Sequence, residues 1–266
     1  MSYYKNPITR FLLRKNILRR IKMRMDGYKR LFTKDAFDDI AFLEAGREVK
    51  TIFDVGANIG FVTFQFQKRF PNSDIYAFEP NPYVFDNLRE SYLKEPKIHT
   101  RMIGVGDITG EKEFNINSNT GTSSYLEADA YHKDHQARNL KEKRFTQIVT
   151  LDDFCQNENI HHIDILKMDI EGYELNALLG ARDLLFDQAI DIIYTEVNLV
   201  PSYVGQPLFH EITKFLLDCN YHLYNIDSFI GQETDIRQAI LGNATYISSK
   251  FRKYLEDKFG KENCGW

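Results

Sequence analysis

Cysteine is scarce in this chain of 266 residues: Cys155, Cys219 and Cys264 lie far apart and form no Cys-x-x-Cys pair. That excludes a disulfide framework and a cysteine zinc site, and it fits a reducing, cytoplasmic setting. A strong charge of either sign is also missing, with a formal net charge of -4 and a pI near 6.0. Without a basic field, no specific nucleic-acid partner is expected. No apolar run approaches the roughly 18 to 20 residues of a membrane span. The early basic residues are not followed by an uninterrupted apolar region, so no cleaved signal peptide is expected. Internal repeats are absent. A lone glycosylation sequon at Asn243-Ala-Thr245 carries no meaning without secretion.

What is present is 43% hydrophobic and 14% aromatic residues, enough for one large core. The chain divides into an N-terminal extension, 1–48, and a catalytic-size domain, 49–266. In the extension Arg10, Arg14, Lys15, Arg19, Arg20, Lys22, Arg24, Lys29 and Arg30 interleave with Phe11, Leu12, Leu13, Ile17, Leu18, Ile21, Met23 and Met25. Apolar positions at three- and four-residue intervals predict a basic amphipathic helix. Two roles stay open for it: docking on the domain with its charges in water, or peripheral contact with an anionic membrane surface.

From Thr51 onward short apolar runs alternate with amphipathic stretches, which predicts an α/β fold with a mostly parallel sheet covered by helices. Strands are expected at 50–55, 74–78, 98–103, 163–168, 190–195, 221–226 and 244–248, with helices at 61–70, 83–93, from about Glu171, and at 208–218. Pro82 suits the opening of its helix, and Thr150 is a plausible N-cap. Residues 108–117 look like a hairpin arm, regular structure resumes at 145–149, and the polar stretch of about 117–144 is either a disordered insertion or a lid over the site.

Ligands of an open parallel sheet bind beyond the carboxyl ends of its strands. Asp54, Glu79, Asp169 and Glu196 close four of the expected strands, so four carboxylates converge on one cleft. Gly56 and Gly60 let the intervening loop turn sharply and approach a ligand, while Glu79 is placed to accept hydrogen bonds from both ribose hydroxyls of a nucleoside. The Gly-x-Gly-x-x-Gly pattern for a pyrophosphate is missing, because Ala57 and Asn58 fall where it needs other spacing, and so is the Gly-Lys-Ser/Thr loop for a nucleoside triphosphate. An acidic cleft repels phosphate and suits the sulfonium and ammonium of S-adenosylmethionine.

The strings Phe53-Asp-Val-Gly-Ala-Asn-Ile-Gly60, Phe78-Glu-Pro-Asn-Pro82, Gly121-Thr-Ser-Ser124, Thr150-Leu-Asp-Asp153, Ile165-Leu-Lys-Met-Asp-Ile-Glu-Gly-Tyr-Glu174 and Glu196-Val-Asn198 resemble the FkbM family of S-adenosylmethionine-dependent methyltransferases. They span residues 51 to about 198, and the Lys-Met-Asp-Ile-Glu-Gly-Tyr-Glu string is the most specific. The resemblance implies a Rossmann-like class I methyltransferase fold, a seven-stranded sheet with an antiparallel final strand, and O-methylation of a saccharide or glycoconjugate; methylation of another acceptor, a natural product, lipid or RNA ribose, and a non-catalytic cofactor-binding module in a glycan-assembly complex are the alternatives. It implies that Gly56, Ala57, Asn58 and Gly60 face the methionine part, that Asp54 orders the loop, and that Glu79, with Pro80 and Asn81 beside it, holds the ribose. Gly104, Val105 or Asp107 then lies near the adenine.

A sugar hydroxyl needs a general base, or a metal that lowers its pKa. Asp169, Glu171 and Glu196 are the candidates for base. Asp169 has a second reading as partner of the cofactor's ammonium, and Glu171 as a first-turn residue favoured by the helix dipole. Lys167 is read either as a buried ion pair or as a substrate contact, and Glu174 as a solvated helix residue. Ser123, Ser124 and Asn198 are candidate substrate contacts, the serines alternatively shaping a turn. A divalent cation between Asp169 and Glu196 is not favoured, because spacing fixes no further ligand nearby. His132, His135 and His210 are alternatives as base or ligand.

Overall fold

The computed structural model describes residues 36–44, 46–129, 138–231 and 238–264. The basic segment expected within 1–30 lies outside the described residues, as do His132 and His135. The described part begins with α1 (Ala36–Glu44). There follow β1 (Thr51–Val55), α2 (Phe61–Arg69), β2 (Asp74–Phe78), α3 (Pro82–Tyr92) and β3 (Ile98–Arg101). Next come β4 (Gly104–Val105), β5 (Gly110–Asn117), β6 (Leu140–Val149), α4 (Leu151–Asn157), β7 (Ile163–Met168), α5 (Glu174–Leu179), α6 (Arg182–Phe186) and β8 (Ile190–Asn198). The final elements are α7 (Phe209–Asp218), β9 (Tyr221–Gly231), β10 (Ala239–Ser248) and α8 (Ser249–Phe259).

Seven strands form one sheet in the order β3-β2-β1-β7-β8-β10-β9. The first five pair in parallel, and β10 runs antiparallel to both β8 and β9. The chain moves outward from β1 to β3 and then returns to the other side of β1, so the strand order reverses between β1 and β7. A crevice is expected beyond the carboxyl ends there. All six residues of β7 are buried, Asp164 and Lys167 included, because helices cover both faces of the sheet. On one face Phe53, Val55, Leu166 and Met168 join Leu178 and Leu185 of the α5–α6 segment in the main core. On the other, Ala77 packs with Phe85 and Leu88 of α3.

The helix starts follow local chemistry. Asn81 caps α3 by accepting from the Tyr83 N–H at 3.1 Å, with Pro82 in the first turn. Thr150 caps α4 by accepting from the Asp153 N–H at 3.1 Å. Among the described residues no helix is long and apolar enough to cross a membrane.

Several expected boundaries move. β3 stops at Arg101, because Gly104 and Val105 leave it to pair with β6 in a second sheet of order β4-β6-β5. That sheet takes up the two ends of the expected polar insertion: β5 runs to Asn117, and β6 already starts at Leu140 and pairs antiparallel with β5. β8 continues through Glu196 to Asn198, since β10 supplies a partner for each added residue. Glu196 is therefore inside a strand and not at its end. α5 starts at Glu174, three residues later than expected, because Glu171 and Gly172 both adopt positive φ. α8 was not anticipated.

Candidate functional site

The parallel register sets Asp54 beside Lys167 across β1 and β7. Lys167 Nζ lies 3.1 Å from Asp54 Oδ1 and donates to the Gly56 carbonyl at 3.1 Å. The second oxygen of Asp54 accepts from Thr63 Oγ1 of α2 at 2.6 Å. Burial alone pushes the lysine pKa down, but Asp54 and Asp169 more than reverse it. Lys167 is thus the buried ion pair of the two readings, and it holds the loop from below.

Gly56 has φ +78, and a Cβ there would sit 1.9 Å from the Asp169 carbonyl, so only glycine lets the loop cross the end of β7. Two residues on, the Asn58 N–H donates to Glu79 Oε2 at 2.9 Å, and the Asn81 N–H donates to Glu79 Oε1 at 2.8 Å. Burial raises the Glu79 pKa to about 7 against the pull of those two N–H groups. A carboxylate has about four acceptor sites. Two are filled, leaving one on each oxygen.

These groups edge a cleft of about 490 Å³, lined among others by Gly56, Asn58, Glu79, Pro80, Gly104, Val105, Ser123, Asp169 and Glu171. Other candidates stand behind it. Ala57 packs with Ala77, Phe85 and Leu88. Gly60 begins α2 at φ +91, where a Cβ would meet the Tyr92 ring at 2.6 Å. Asp107 accepts from the Tyr173 hydroxyl at 2.8 Å and from Asn176 Nδ2 at 3.2 Å. Burial raises its pKa, but these hydrogen bonds prevail and hold it below the ordinary value. Its carboxylate is engaged away from the cleft. Ser124 Oγ donates to the Glu171 carbonyl at 2.8 Å and accepts from the Leu126 N–H at 3.0 Å, which is the turn-shaping role. Ser123 Oγ accepts from the Asn117 N–H at 3.2 Å.

Four carboxyl groups crowd the far side of the cleft. Glu171, at φ +55, is raised to about 8, by burial first and then by Asp169. Its Oε2 lies 2.6 Å from the Tyr203 hydroxyl, which is also 2.8 Å from the Thr122 carbonyl. The phenolic proton is shared between the two acceptors, and its share to Glu171 favours the charged form of that carboxyl without offsetting its burial. Glu174 is buried at 1% exposure and not solvated as expected: its Oε1 accepts from the Ile170 N–H at 2.9 Å and the Gly172 N–H at 3.3 Å, closing the turn. Burial raises its pKa to about 7. Glu196 is pushed well up by burial and by Asp169 and Glu171, and its Oε2 accepts from Asn198 Nδ2 at 3.4 Å. Neither Glu196 nor Asn198 lines the cleft. His210 is exposed on α7.

Among the described residues, one group of three potential metal ligands meets closely: His162, Asp164 and Asp191. It sits where β7 and β8 begin, at the opposite end of the sheet, and Arg47 already lies 2.7 Å from Asp191. Tyr125 and Tyr203 are not among the residues singled out from sequence. Tyr125 lines the cleft and fills the space left by Gly104, where a Cβ would be 2.0 Å from its hydroxyl.

Comparison with known proteins follows the same outline. The family model described as the methyltransferase FkbM domain matches residues 54–223. The 2-O-methyltransferase NoeI of Sinorhizobium fredii is 26% identical over 164 residues, covering 58% of this chain and 66% of that protein, just under two thirds of its length. The hexuronic acid methyltransferase AglP of Haloferax volcanii is 24% identical over 189 residues, with 65% and 72% covered. The 31-O-demethyl-FK506 methyltransferase FkbM of Streptomyces tacrolimicus is 25% identical over 206 residues, with 68% and 78% covered.

Proposed function

The chain belongs to the FkbM methyltransferase family, and from that premise we propose that it uses S-adenosylmethionine to methylate a hydroxyl of a saccharide or glycoconjugate. The observation that carries the donor half is Glu79: a buried carboxylate at the end of β2, fixed by two backbone N–H groups, with an acceptor site left on each oxygen for a ribose diol. The surroundings fit the same donor. Gly56 leaves a cradle that a Cβ would fill, Asp169 supplies a partner for positive charge, and among the described lining residues there is no lysine or arginine to favour phosphate.

When bound, the donor supplies a methyl carbon activated by the positive sulfur beside it. The protein's own share is positioning and proton removal. Glu79 accepts from the ribose hydroxyls, and Val105 and Phe114 offer an apolar wall for the base. Glu171 lines the acceptor side and takes the hydroxyl proton at Oε1 or Oε2 once it is ionised. Tyr203 holds Glu171 in place. The saccharide half of the proposal is supported by the relatives described as a 2-O-methyltransferase and a hexuronic acid methyltransferase.

The test is incubation of the full chain with methyl-labelled S-adenosylmethionine and a panel of saccharides, with mass spectrometry locating the label. Label on a sugar hydroxyl is expected. Glu171→Gln is expected to lower kcat by roughly 100-fold or more while S-adenosylhomocysteine affinity is kept. Transfer to RNA or lipid and to no saccharide would overturn the acceptor class. Tight binding of NAD with none of the methyl donor would overturn the whole reading.

A further inference from the structure

A second cavity, of about 600 Å³, is lined by Asn115, Asn117, Glu127, Arg138 and Lys143. Tyr203 connects it to the acceptor side of the first: the Arg138 guanidinium lies 5.3 Å from the Tyr203 ring centroid, and the Tyr203 hydroxyl reaches Glu171 on the cleft wall. The two cations of the second cavity differ. Lys143 Nζ is matched by Glu127 at 2.8 Å and Glu113 at 3.1 Å. Arg138 is only 8% exposed, yet its Nε and Nη1 have no hydrogen-bond partner among the described residues. Asn115 has the opposite deficit. Its Nδ2 donates to the Leu126 carbonyl at 3.0 Å, while its buried Oδ1 accepts from nothing described.

Arg138 does bond the Tyr203 hydroxyl and acts on Glu171 through its charge, but buried guanidinium N–H groups left without a partner are costly, and so is a buried carbonyl without a donor. Unmet cationic donors and an unmet acceptor in one cavity are the complement of a ligand that carries both a carboxylate and hydroxyl groups. A neutral sugar would satisfy Asn115 and bring no anion into contact with the Nε and Nη1 donors of Arg138. We propose that this cavity is a subsite for an acidic sugar, with its carboxylate on Arg138 and one of its hydroxyls donating to Asn115 Oδ1. The acceptor saccharide then carries a uronate-type unit at, or adjacent to, the unit that is methylated. This deepens the saccharide reading above and rests on it.

The test is an NMR titration of the full chain, saturated with S-adenosylhomocysteine, with methyl β-glucuronide, methyl β-glucoside and the 6-sulfate of that glucoside. The glucuronide is expected to bind at least tenfold more tightly than the glucoside, in keeping with a charge-assisted hydrogen bond. Arg138→Gln is expected to abolish that preference while leaving the affinities for glucoside and S-adenosylhomocysteine unchanged. If Arg138→Gln loses S-adenosylhomocysteine binding and with it the fold, Arg138→Lys replaces it, with glucuronide affinity expected to fall several-fold and glucoside affinity to hold. Equal binding of glucuronide and glucoside by the unaltered protein would overturn the proposal. So would tighter binding of the sulfate, or a preference that survives both substitutions. The titration needs no turnover, so failure to methylate any saccharide would sink the proposed function without deciding this subsite. Active transfer with no acidic preference would do the reverse.

Discussion

Lys167 is enclosed at the point where β1 and β7 end, with 5% of its side chain exposed against none of Asp54. Neither charge is tolerable there alone, since desolvating an unpaired ion costs several kcal/mol. Lys167→Met would strand Asp54, whose Thr63 hydrogen bond cannot replace a counter-ion. The expected loss is about 3 to 5 kcal/mol, read from urea unfolding at neutral pH. Adding Asp54→Asn removes the stranded charge, so the double variant should be more stable than the sum of the two single losses predicts. A single-variant loss below about 1 kcal/mol would mean that water reaches the pair.

At the scale of elements, the turn between β7 and α5 carries the acceptor side of the proposed reaction. Residues 169–174 present Asp169 and Glu171 to the cleft and use Glu174 as a clasp for their backbone. In Tyr203→Phe, Glu171 loses the hydroxyl that favours its charged form. Its pKa should rise further above about 8, so the rising limb of kcat against pH should move upward, by roughly half a unit to one unit, with KM for the methyl donor unchanged. A limb that stays put would remove Glu171 from the role of base.

The same elements mark what the sequence could disclose. Asp54, Glu79 and Asp169 were legible because β1, β2 and β7 are mostly apolar, so an acid at or next to their carboxyl ends stands out. Glu174 was not, because its partners are backbone N–H groups of a turn whose left-handed residues, Glu171 and Gly172, leave no periodic trace. β6 was hidden for another reason. Its first eight residues are mostly exposed, so its pairing with β5 rests on backbone hydrogen bonds and cross-strand ion pairs such as Lys143 with Glu113. α8 buries only Phe251 and Leu255, too little pattern to announce a helix. Arg138 and Tyr203 come together from segments 65 residues apart, a proximity that only the tertiary fold creates.

For the molecule as a whole, buried carboxyl groups set opposite pH trends for stability and for cofactor binding. Burial raises Glu44 and Glu171 to about 8 and Glu79 and Glu174 to about 7. A carboxyl whose folded pKa lies above its unfolded value binds more protons folded than unfolded in the window between the two. Its contribution is complete below about 4.5 and is lost as pH rises through 7 to 8. His162, raised chiefly by its hydrogen bond to Asp191, acts in the same direction, while His222, lowered by burial, opposes it with a single group. Thermal stability of the free protein should therefore increase from pH 8.5 to pH 6, with Tm higher by several degrees. Binding should do the reverse, because a ribose diol needs Glu79 as an acceptor in its ionised form. With its pKa at about 7, the ionised fraction falls about tenfold from pH 8 to pH 6, and S-adenosylhomocysteine affinity should fall by a similar factor. Scanning fluorimetry and calorimetry at the same pH values separate the two trends. Rising Tm with flat affinity would leave the buried carboxyls in place but take the ribose away from Glu79.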